Sequence, residues 1–408
     1  MSDDTLPSLD GSQASNPYGP RFWLTYVSNI GLMATVSLLF RYADFIEHLG
    51  GTEKQLGLIT GIGMFGAITA RCFQGVAIDR YGAARVWHLS LMLLVVCLLG
   101  HLSIGSLSTP WVYTLRIVYT VSLAGAFGSS ITYVSLRAPP SRMGEMIGML
   151  GSSGFIGMAI GPSIGDWLFA GVSPESLVNK LFLWATATAT FSLVSAYAAT
   201  YGEAVAVLSN GKATVSGLWK NVRTFHPGWT LLVGFAMGVG IGMPGTFLSA
   251  FAAEREIANL VWFWLPYAVI AFVVRIFTRT LSDRWGTRPT ILVGLACMSG
   301  SMLAYLVVSD GPSLIFPAAL GGFAHAFLFP ATVAEGNHSF PVEQRGLATN
   351  LILTMFDIGL LLGQPIFGWT VELSRASGWD GYVVAFSSLA TLLLVVAMVY
   401  VRLKAVTK

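Results

Sequence analysis

The stretch Arg71-Cys-Phe-Gln-Gly-Val-Ala-Ile-Asp-Arg-Tyr-Gly-Ala-Ala-Arg85 begins within an apolar run and ends in a short basic turn. A second stretch, Arg275-Ile-Phe-Thr-Arg-Thr-Leu-Ser-Asp-Arg-Trp-Gly-Thr-Arg288, repeats this arrangement 204 residues later. The offset is half of the 408-residue chain. The sequence therefore predicts two copies of one structural unit, with the basic turn at the same place in each copy.

The composition is that of a membrane protein. Hydrophobic residues make up 54% of the chain and charged residues only 11%, whereas soluble proteins carry about 25% charged residues. Apolar runs of about 20 residues, the length of a helix that crosses a bilayer, recur along the whole chain. The 45 glycines suit helices that pack closely in lipid. We therefore expect an integral membrane protein in contact with lipid.

Twelve of these runs are predicted to be membrane-spanning helices. Six precede a polar stretch and lie near 22–42, 55–78, 86–106, 110–135, 144–170 and 178–200. Six follow it and lie near 228–252, 258–281, 289–309, 312–335, 346–371 and 381–402. The predicted fold class is thus an all-α membrane protein of two six-helix bundles.

The domain boundaries follow from these spans. Residues 1–20 are polar and lack the basic start of a signal peptide, so they are predicted to form a disordered cytoplasmic tail. The bundles are assigned to 21–200 and 226–404, a cytoplasmic linker to 201–225, and a C-terminal tail to 405–408.

The positive charges of the loops predict the orientation of the chain. With the N-terminus inside, 15 Lys and Arg residues fall on the cytoplasmic side and 5 on the outer side. Cytoplasmic loops carry an excess of Lys and Arg, so both termini are expected to be cytoplasmic. The expected location is the plasma (inner) membrane.

Spaced glycines and prolines repeat in spans 5 and 11. Span 5 contains Gly-x-x-x-Gly-Pro-x-x-Gly and span 11 contains Gly-x-x-x-Gly-x-Pro-x-x-Gly, about 200 residues later. Small residues at this spacing let neighbouring helices approach closely. We therefore predict helix packing at Gly157, Gly161, Pro162, Gly165, Gly359, Gly363 and Pro365.

These motifs resemble those of one family, the major facilitator superfamily of secondary transporters. The segment 75–85 resembles its loop motif between helices 2 and 3, and 281–288 resembles the matching loop between helices 8 and 9, although Arg279 stands where that copy's first glycine would be. The span-5 glycines resemble a motif associated with antiporters, but Asp166 replaces the second glycine of the usual pair. Arg116 resembles a buried arginine of helix 4.

The resemblance implies a fold of two pseudo-symmetric six-helix bundles that works by alternating access. It also implies that the loop motifs form a conformational latch on the cytoplasmic side. The alternative is that their charges only anchor the loops inside the cell. The predicted latch residues are Gly75, Asp79, Arg80, Gly82, Arg85, Asp283, Arg284, Gly286 and Arg288.

Arg71 and Arg275 are predicted to bind the substrate. Each lies eight residues before its loop aspartate, about 12 Å deeper along a helix. A charge at this depth costs several kcal/mol unless it faces protein or water. Two forked guanidiniums would suit a carboxylate, nitrate or phosphate group. The alternative is that each arginine pairs with a structural acid or with backbone carbonyls.

Three further groups are candidates for proton coupling: Asp357, Arg116 and His325. An acid or histidine within a span can load and release a proton. The alternatives are a fixed ion pair for Asp357, snorkelling of Arg116 to the outer interface, and a structural hydrogen bond for His325. Arg41 and Asp44 at the outer end of span 1 are expected to be a solvated pair rather than a gate.

The sequence therefore predicts a proton-coupled secondary transporter, an antiporter or symporter, of a small organic or inorganic anion. One alternative is a proton-driven exporter of lipophilic drugs, and another is a sensor or scaffold with a transporter fold. We expect no enzyme activity, no cofactor and no metal, a monomer, and no nucleic-acid partner. No Gly-x-x-x-x-Gly-Lys-Ser/Thr loop occurs, so ATP drive is not supported.

Overall fold

The computed structural model describes residues 18–139, 142–169, 174–202, 225, 227–277, 285–341 and 345–406. Helices account for all regular secondary structure in these ranges. The first half contains α1 (Pro20–Leu38), α2 (Tyr42–His48), α3 (Glu53–Tyr81), α4 (Ala83–His101), α5 (Pro110–Ser135), α6 (Met143–Phe169) and α7 (Pro174–Thr200). The second half contains α8 (Thr230–Glu254), α9 (Val261–Phe277), α10 (Thr287–Ala304), α11 (Ile315–His338), α12 (Arg345–Ala376) and α13 (Gly381–Val406).

These helices form the twelve predicted spans. Within the described ranges, eleven helices are long and apolar enough to cross a membrane, the first being α1 and α2 joined by the 3-10 turn Leu39–Arg41. The twelfth, α9, is a shorter apolar helix of 17 residues, and the segment that follows it, 278–284, lies outside the described part. The prediction of an all-α fold of twelve membrane helices is confirmed.

Some predictions fall outside the described residues. These concern most of the N-terminal tail, most of the linker at 201–225, and the end of the C-terminal tail. Two predicted latch residues, Asp283 and Arg284, also lie outside. The domain boundaries and the orientation remain predictions. We call the end of the bundle that the Lys and Arg count assigns to the outside the outer end, and the opposite end the inner end.

Glycines bring α6 against α1 in the first half. A Cβ atom added at Gly157 would lie 2.5 Å from the Ile30 carbonyl oxygen, and one added at Gly161 would lie 2.1 Å from Ser37 Oγ. Only glycine permits this approach, and it lets Ser37 Oγ donate a 2.9 Å hydrogen bond to the Gly157 carbonyl. Pro162 lies inside α6, and Gly165 faces the Arg41 side chain.

The second half repeats this contact between α12 and α8. A Cβ atom added at Gly359 would lie 2.2 Å from the Phe235 carbonyl oxygen, and one at Gly363 would lie 3.1 Å from Val239. Pro365 lies inside α12 and contacts the other half, because a Cβ atom on Gly61 of α3 would lie 2.6 Å from its ring. Thus α12 packs on α8 within its own half and on α3 across the boundary between the halves.

The two basic turns have the same backbone conformation. Gly82 follows α3 with φ of 83°, and Gly286 precedes α10 with φ of 84°. A residue with a Cβ atom is strained in this left-handed region, so glycine is required at both turns. The Gly82 N–H donates to the Ile78 carbonyl oxygen at 2.8 Å, which closes the end of α3.

Candidate functional site

Arg71 and Asp357 form an ion pair across the boundary between the halves. Arg71 Nε donates to Asp357 Oδ2, and Arg71 Nη2 lies 3.4 Å from Asp357 Oδ1. The side chains are 18% and 3% exposed, respectively. Asn350 Nδ2 donates to the Arg71 carbonyl oxygen at 3.4 Å. Arg71 therefore has the acidic partner that the alternative interpretation required, and the pair ties α3 to α12.

Arg275 on α9 differs from Arg71 in its surroundings. It forms no ion pair or hydrogen bond with another residue of the described ranges. Its guanidinium carbon lies 6.0 Å from the ring centroid of Phe155 on α6. The side chain is partly exposed, and a Cβ atom added at Gly151 would lie 3.7 Å from Arg275 Nη2. Among the described residues, Arg275 is thus a positive charge without an acidic partner, at the interface of α6 and α9.

The internal repeat explains why the two arginines differ. The first glycines of the span-5 and span-11 motifs, Gly157 and Gly359, are 202 residues apart. Asp357 precedes Gly359 by two positions, so its counterpart is the residue two before Gly157, which is Phe155. Arg71 faces a carboxylate on α12, whereas Arg275 faces a phenyl ring at the equivalent place on α6.

An aromatic cluster continues from Phe155 towards the outer end. The rings of Phe155 and His325 meet edge to face at 5.4 Å, and His325 Nδ1 is 2.9 Å from the Tyr267 hydroxyl. Tyr267 packs against Trp264 at 5.6 Å, and Trp264 stacks on Phe40 at 4.0 Å. Rings from the Leu39–Arg41 turn, α6, α9 and α11 therefore form one wall, with the cation of Arg275 at its inner end.

Arg116 on α5 is enclosed by aromatic rings. Its guanidinium carbon lies 4.5 Å from the Tyr42 centroid and 4.8 Å from the Tyr119 centroid. The Nε and Nη1 atoms are buried and have no hydrogen-bond partner among the described residues. The guanidinium therefore packs between two tyrosines instead of snorkelling to the interface.

The first of two polar clusters at the outer end surrounds Arg41. Its Nη1 is 3.1 Å from Asp44 Oδ2, and its Nη2 is 2.6 Å from Asp166 Oδ1 and 2.8 Å from the Ala258 carbonyl oxygen. The Arg41 side chain is only 8% exposed. The expectation of a solvated Arg41–Asp44 pair is therefore wrong, because the end of α6 and the start of α9 close over the pair.

Asp166 also holds the N-terminus of α9. The backbone N–H of Leu260 donates to Asp166 Oδ1 at 3.1 Å, and that of Val261 donates to Oδ2 at 2.7 Å. A carboxylate is stabilised at a helix N-terminus because it satisfies unpaired N–H groups and complements the helix dipole. Here the carboxylate comes from the first half and the helix from the second, so the contact closes the boundary.

The second outer cluster is centred on Arg375 of α12. Arg375 Nη2 donates to Glu53 Oε1 at 2.9 Å and also to Glu254 Oε2. The Tyr382 hydroxyl donates to the same Glu53 oxygen at 3.3 Å. Glu53 belongs to the first half and the other residues to the second. This cluster therefore joins the halves at the outer end, as the Arg41 cluster does.

The latch motif of the first half makes no such contacts with the residues that the structure describes. Within the described ranges, Asp79, Arg80 and Arg85 form no ion pair or side-chain hydrogen bond, and the Arg80 guanidinium lies over its neighbour Tyr81 at 5.4 Å. In the second copy, Arg288 donates to the Val401 carbonyl oxygen within its own half. Cross-boundary polar contacts are therefore extensive at the outer end and absent from the described part of the latch.

We predict that Asp166→Asn loosens the outer end. The substitution removes a charge-assisted contact with Arg41, worth about 1.5–3 kcal/mol, and weakens the cap on α9. A reporter cysteine can be placed at Ala250, because this residue lines a cavity of about 330 Å³ at the outer end. Labelling of an Ala250→Cys reporter by an impermeant maleimide from outside should become roughly tenfold faster. Asp310→Asn, in an exposed loop, is the control, and an unchanged labelling rate for Asp166→Asn would contradict the prediction.

The structure thus brings some predicted site residues together and separates others. Arg71 lies with Asp357, and Arg275 lies near Phe155 and His325. Arg116 belongs to a separate cluster. The sequence reasoning missed Phe155, Asp166 as a helix cap, and the cluster of Glu53, Glu254 and Arg375. No group of three His, Cys, Asp or Glu residues in the described ranges is arranged to hold a metal ion.

Relatives of this chain are transporters. An uncharacterized MFS-type transporter of Methanocaldococcus jannaschii is 24% identical over 380 residues, covering 90% of this chain and 94% of the relative. An uncharacterized MFS-type transporter of Mycobacterium tuberculosis is 21% identical over 364 residues, covering 83% and 82%.

Solved structures have the same fold. The nucleoside transporter NupG aligns with a TM-score of 0.72 at 13% identity, covering 93% of this chain and 98% of that one. A bacterial homolog of the human lysosomal transporter Spinster, in an inward-facing and unoccupied conformation, aligns with a TM-score of 0.70 at 16% identity, covering 93% and 96%. These identities establish a shared fold only.

The family model of the Major Facilitator Superfamily matches residues 22–316 and 267–408. The two matches together extend over nearly the whole chain, including both basic turns and parts of all twelve spans. The protein therefore belongs to the major facilitator superfamily and is a membrane transporter.

Proposed function

We propose that this protein is a proton-coupled secondary transporter of small anions that works by alternating access. The observation that supports this most directly is the contrast between the two deep arginines. Asp357 neutralises Arg71, whereas Arg275 has no acidic partner among the described residues. An unpaired charge within a membrane is costly and typically marks a substrate or ion pathway. A bound anion would provide the negative charge that Arg275 lacks.

The Arg71–Asp357 pair is our proposed site of proton coupling. Protonation of Asp357 would remove the charge that holds Arg71. Because the pair joins α3 to α12, its release would weaken a contact between the halves. Arg71 would then be free to contact the same anion, which gives both arginines the substrate-binding role predicted from the sequence. Proton uptake would thereby favour the conformational change that carries the anion.

Other predicted residues take supporting roles in this proposal. His325 is hydrogen-bonded to Tyr267 and lies near the anion site, where it could accept a proton. Arg116 would influence coupling through its tyrosine cage without contacting the anion. The latch residues Asp79 and Arg80 would engage in the opposite state, when the inner ends of the halves approach. The 15-to-5 split of Lys and Arg supports cytoplasmic termini, and the plasma membrane is the location that we propose.

Uptake into proteoliposomes tests this function. With nitrate, acetate and benzoate as labelled anions, an imposed gradient of one pH unit should raise the initial rate of uptake above that of protein-free liposomes, which acetic and benzoic acid enter passively. Nitrate should accumulate about tenfold if one proton moves with each anion. Asp357→Asn should lose this accumulation but retain exchange of labelled for unlabelled anion. Glu256→Gln, at an exposed acid, should behave like the wild type.

The alternatives give different results in the same assay. Accumulation by Asp357→Asn at the wild-type level would remove Asp357 from the proton pathway. Transport of lipophilic cations but of no anion would establish the drug-exporter alternative. Failure to move any solute under any gradient would favour the sensor or scaffold alternative.

A further inference from the structure

The space beside Arg275 has a shape and lining that the proposed function does not explain. A Cβ atom added at Gly151 would have only Arg275 Nη2 within 4 Å, and one added at Gly154 would have nothing within that distance. Both glycines lie on α6 next to Phe155. The surface beside the cation is therefore bare helix backbone bordered by a phenyl ring.

This open space lies inside the bundle and not on its lipid-facing surface. The exposed apolar face of α6 contains Ile156, Ile160 and Trp167, which are 36%, 39% and 67% exposed. At 100° per residue, Gly151 lies about 140° from Ile156 and about 180° from Ile160 around the helix. Gly151 therefore points away from the lipid-facing residues, towards α9 and the other half.

Resting on the proposed anion function, we infer that the substrate of this site is an aromatic monocarboxylate. One uncompensated guanidinium matches one carboxylate, which it can bind with two parallel N–H donors. A flat ring can lie on the side-chain-free backbone of Gly151 and Gly154. The Phe155 ring, which is 4% exposed, would contact the bound ring through its accessible edge, in the edge-to-face or offset arrangement that aromatic pairs prefer.

The polar groups nearby fit the same class of substrate. The Tyr267 hydroxyl and His325 are the titratable groups of α9 and α11 beside the Phe155 ring, and they are already hydrogen-bonded to each other. Asp357 of α12 is already paired with Arg71. A small inorganic anion would leave the aromatic surface without a contact, and a dicarboxylate would place a second negative charge against it.

Thermal stabilisation of the purified full-length chain tests the inference without knowledge of the native substrate. The probes are sodium salts at equal ionic strength: benzoate, cyclohexanecarboxylate, acetate, nitrate and terephthalate. Benzoate should bind at least about tenfold more tightly than acetate, nitrate or terephthalate and more tightly than cyclohexanecarboxylate. Arg275→Met should lose the response to every probe.

A pair of matched variants locates the aromatic contact. Gly151→Leu fills the space over the guanidinium and should weaken benzoate binding at least about tenfold. Gly148→Leu makes the same change in open space one turn away, where a Cβ atom would have no neighbour within 4 Å, and should change binding less than about twofold. Equal effects of the two variants on benzoate would overturn the inference.

The outcomes separate this inference from the proposed function. If acetate, nitrate or terephthalate binds as tightly as benzoate and Arg275→Met abolishes that binding, the aromatic inference fails while the anion function stands. If no anion stabilises the protein, the proposed anion function itself fails. The wild-type probe series gives these answers even if a leucine variant does not fold.

Discussion

Replacing Arg275 with methionine is expected to abolish anion transport and, at the same time, to make the folded protein more stable. Methionine keeps an unbranched apolar stem like that of arginine but removes a charge that has no acidic partner in the described structure. Loss of a charged contact to a bound anion costs about 2–5 kcal/mol, which corresponds to roughly 30-fold to more than 1,000-fold in affinity. Removal of an unpaired charge from the membrane interior should raise the stability of the folded protein, because a charge at this depth is costly.

Transport and melting temperature measured on the same preparations check both parts. Arg402→Met, at the exposed inner end of α13, is the matched control and should leave transport unchanged. Arg275→Lys should retain weak transport, because lysine keeps the charge but not the forked donors. A lower melting temperature for Arg275→Met would show that this arginine has a structural partner and would contradict its assignment as the anion site.

The second large effect is expected at the Arg71–Asp357 pair. Asp357→Leu leaves Arg71 as an unpaired charge at a buried contact and should destabilise the protein by about 3–5 kcal/mol. Arg71→Met leaves the Asp357 carboxylate in the same position and should also destabilise it. The double variant Arg71→Met/Asp357→Leu replaces the pair by apolar groups and should recover most of the lost stability.

A double-mutant cycle on unfolding in detergent measures this coupling. An interaction energy of about 0.5–3 kcal/mol or more is expected for residues in direct contact. Additive effects of the two single variants would contradict the pairing. The double variant should nevertheless show no response of transport to a pH gradient, which separates the structural role of the pair from its proposed role in coupling.

The fold could be predicted from the sequence because its signals are local. The length and apolarity of each run follow from bilayer thickness. The recurrence of the basic turn after 204 residues predicts that the chain consists of two similar halves. The glycine that each turn requires is visible in the sequence as Gly82 and Gly286. These features need no knowledge of how one helix is rotated against another.

The site was harder to predict because it depends on that rotation. The depth of Arg71 and Arg275 follows from residue counting, but their partners do not. The equal spacing suggested equal roles, whereas the structure gives one arginine a carboxylate and the other a phenyl ring. A signal was present in the glycine motifs, whose 202-residue offset aligns Asp357 with Phe155. Comparison of the two copies position by position would have found this difference.

The outer clusters could not be predicted for another reason. Asp166 was visible in the sequence only as a departure from the usual glycine of its motif. Its partners include the backbone N–H groups of Leu260 and Val261 in the other half. Such a contact exists only when the outer ends of the halves are together. Under the proposed alternating access it would depend on the conformational state, which residue patterns along the chain do not encode.

The positive charge of Arg275 would have an electrical consequence for the proposed transport cycle. One proton and one monoanion add no net charge, so the charge that Arg275 contributes to the centre of the protein would be the same whether the carrier is empty or loaded. A membrane potential acts on such a charge with up to about 2.3 kcal/mol per 100 mV. An inside-negative voltage would therefore favour inward-facing states at every stage without driving accumulation. The carrier would be electroneutral, yet its resting orientation would be set by voltage.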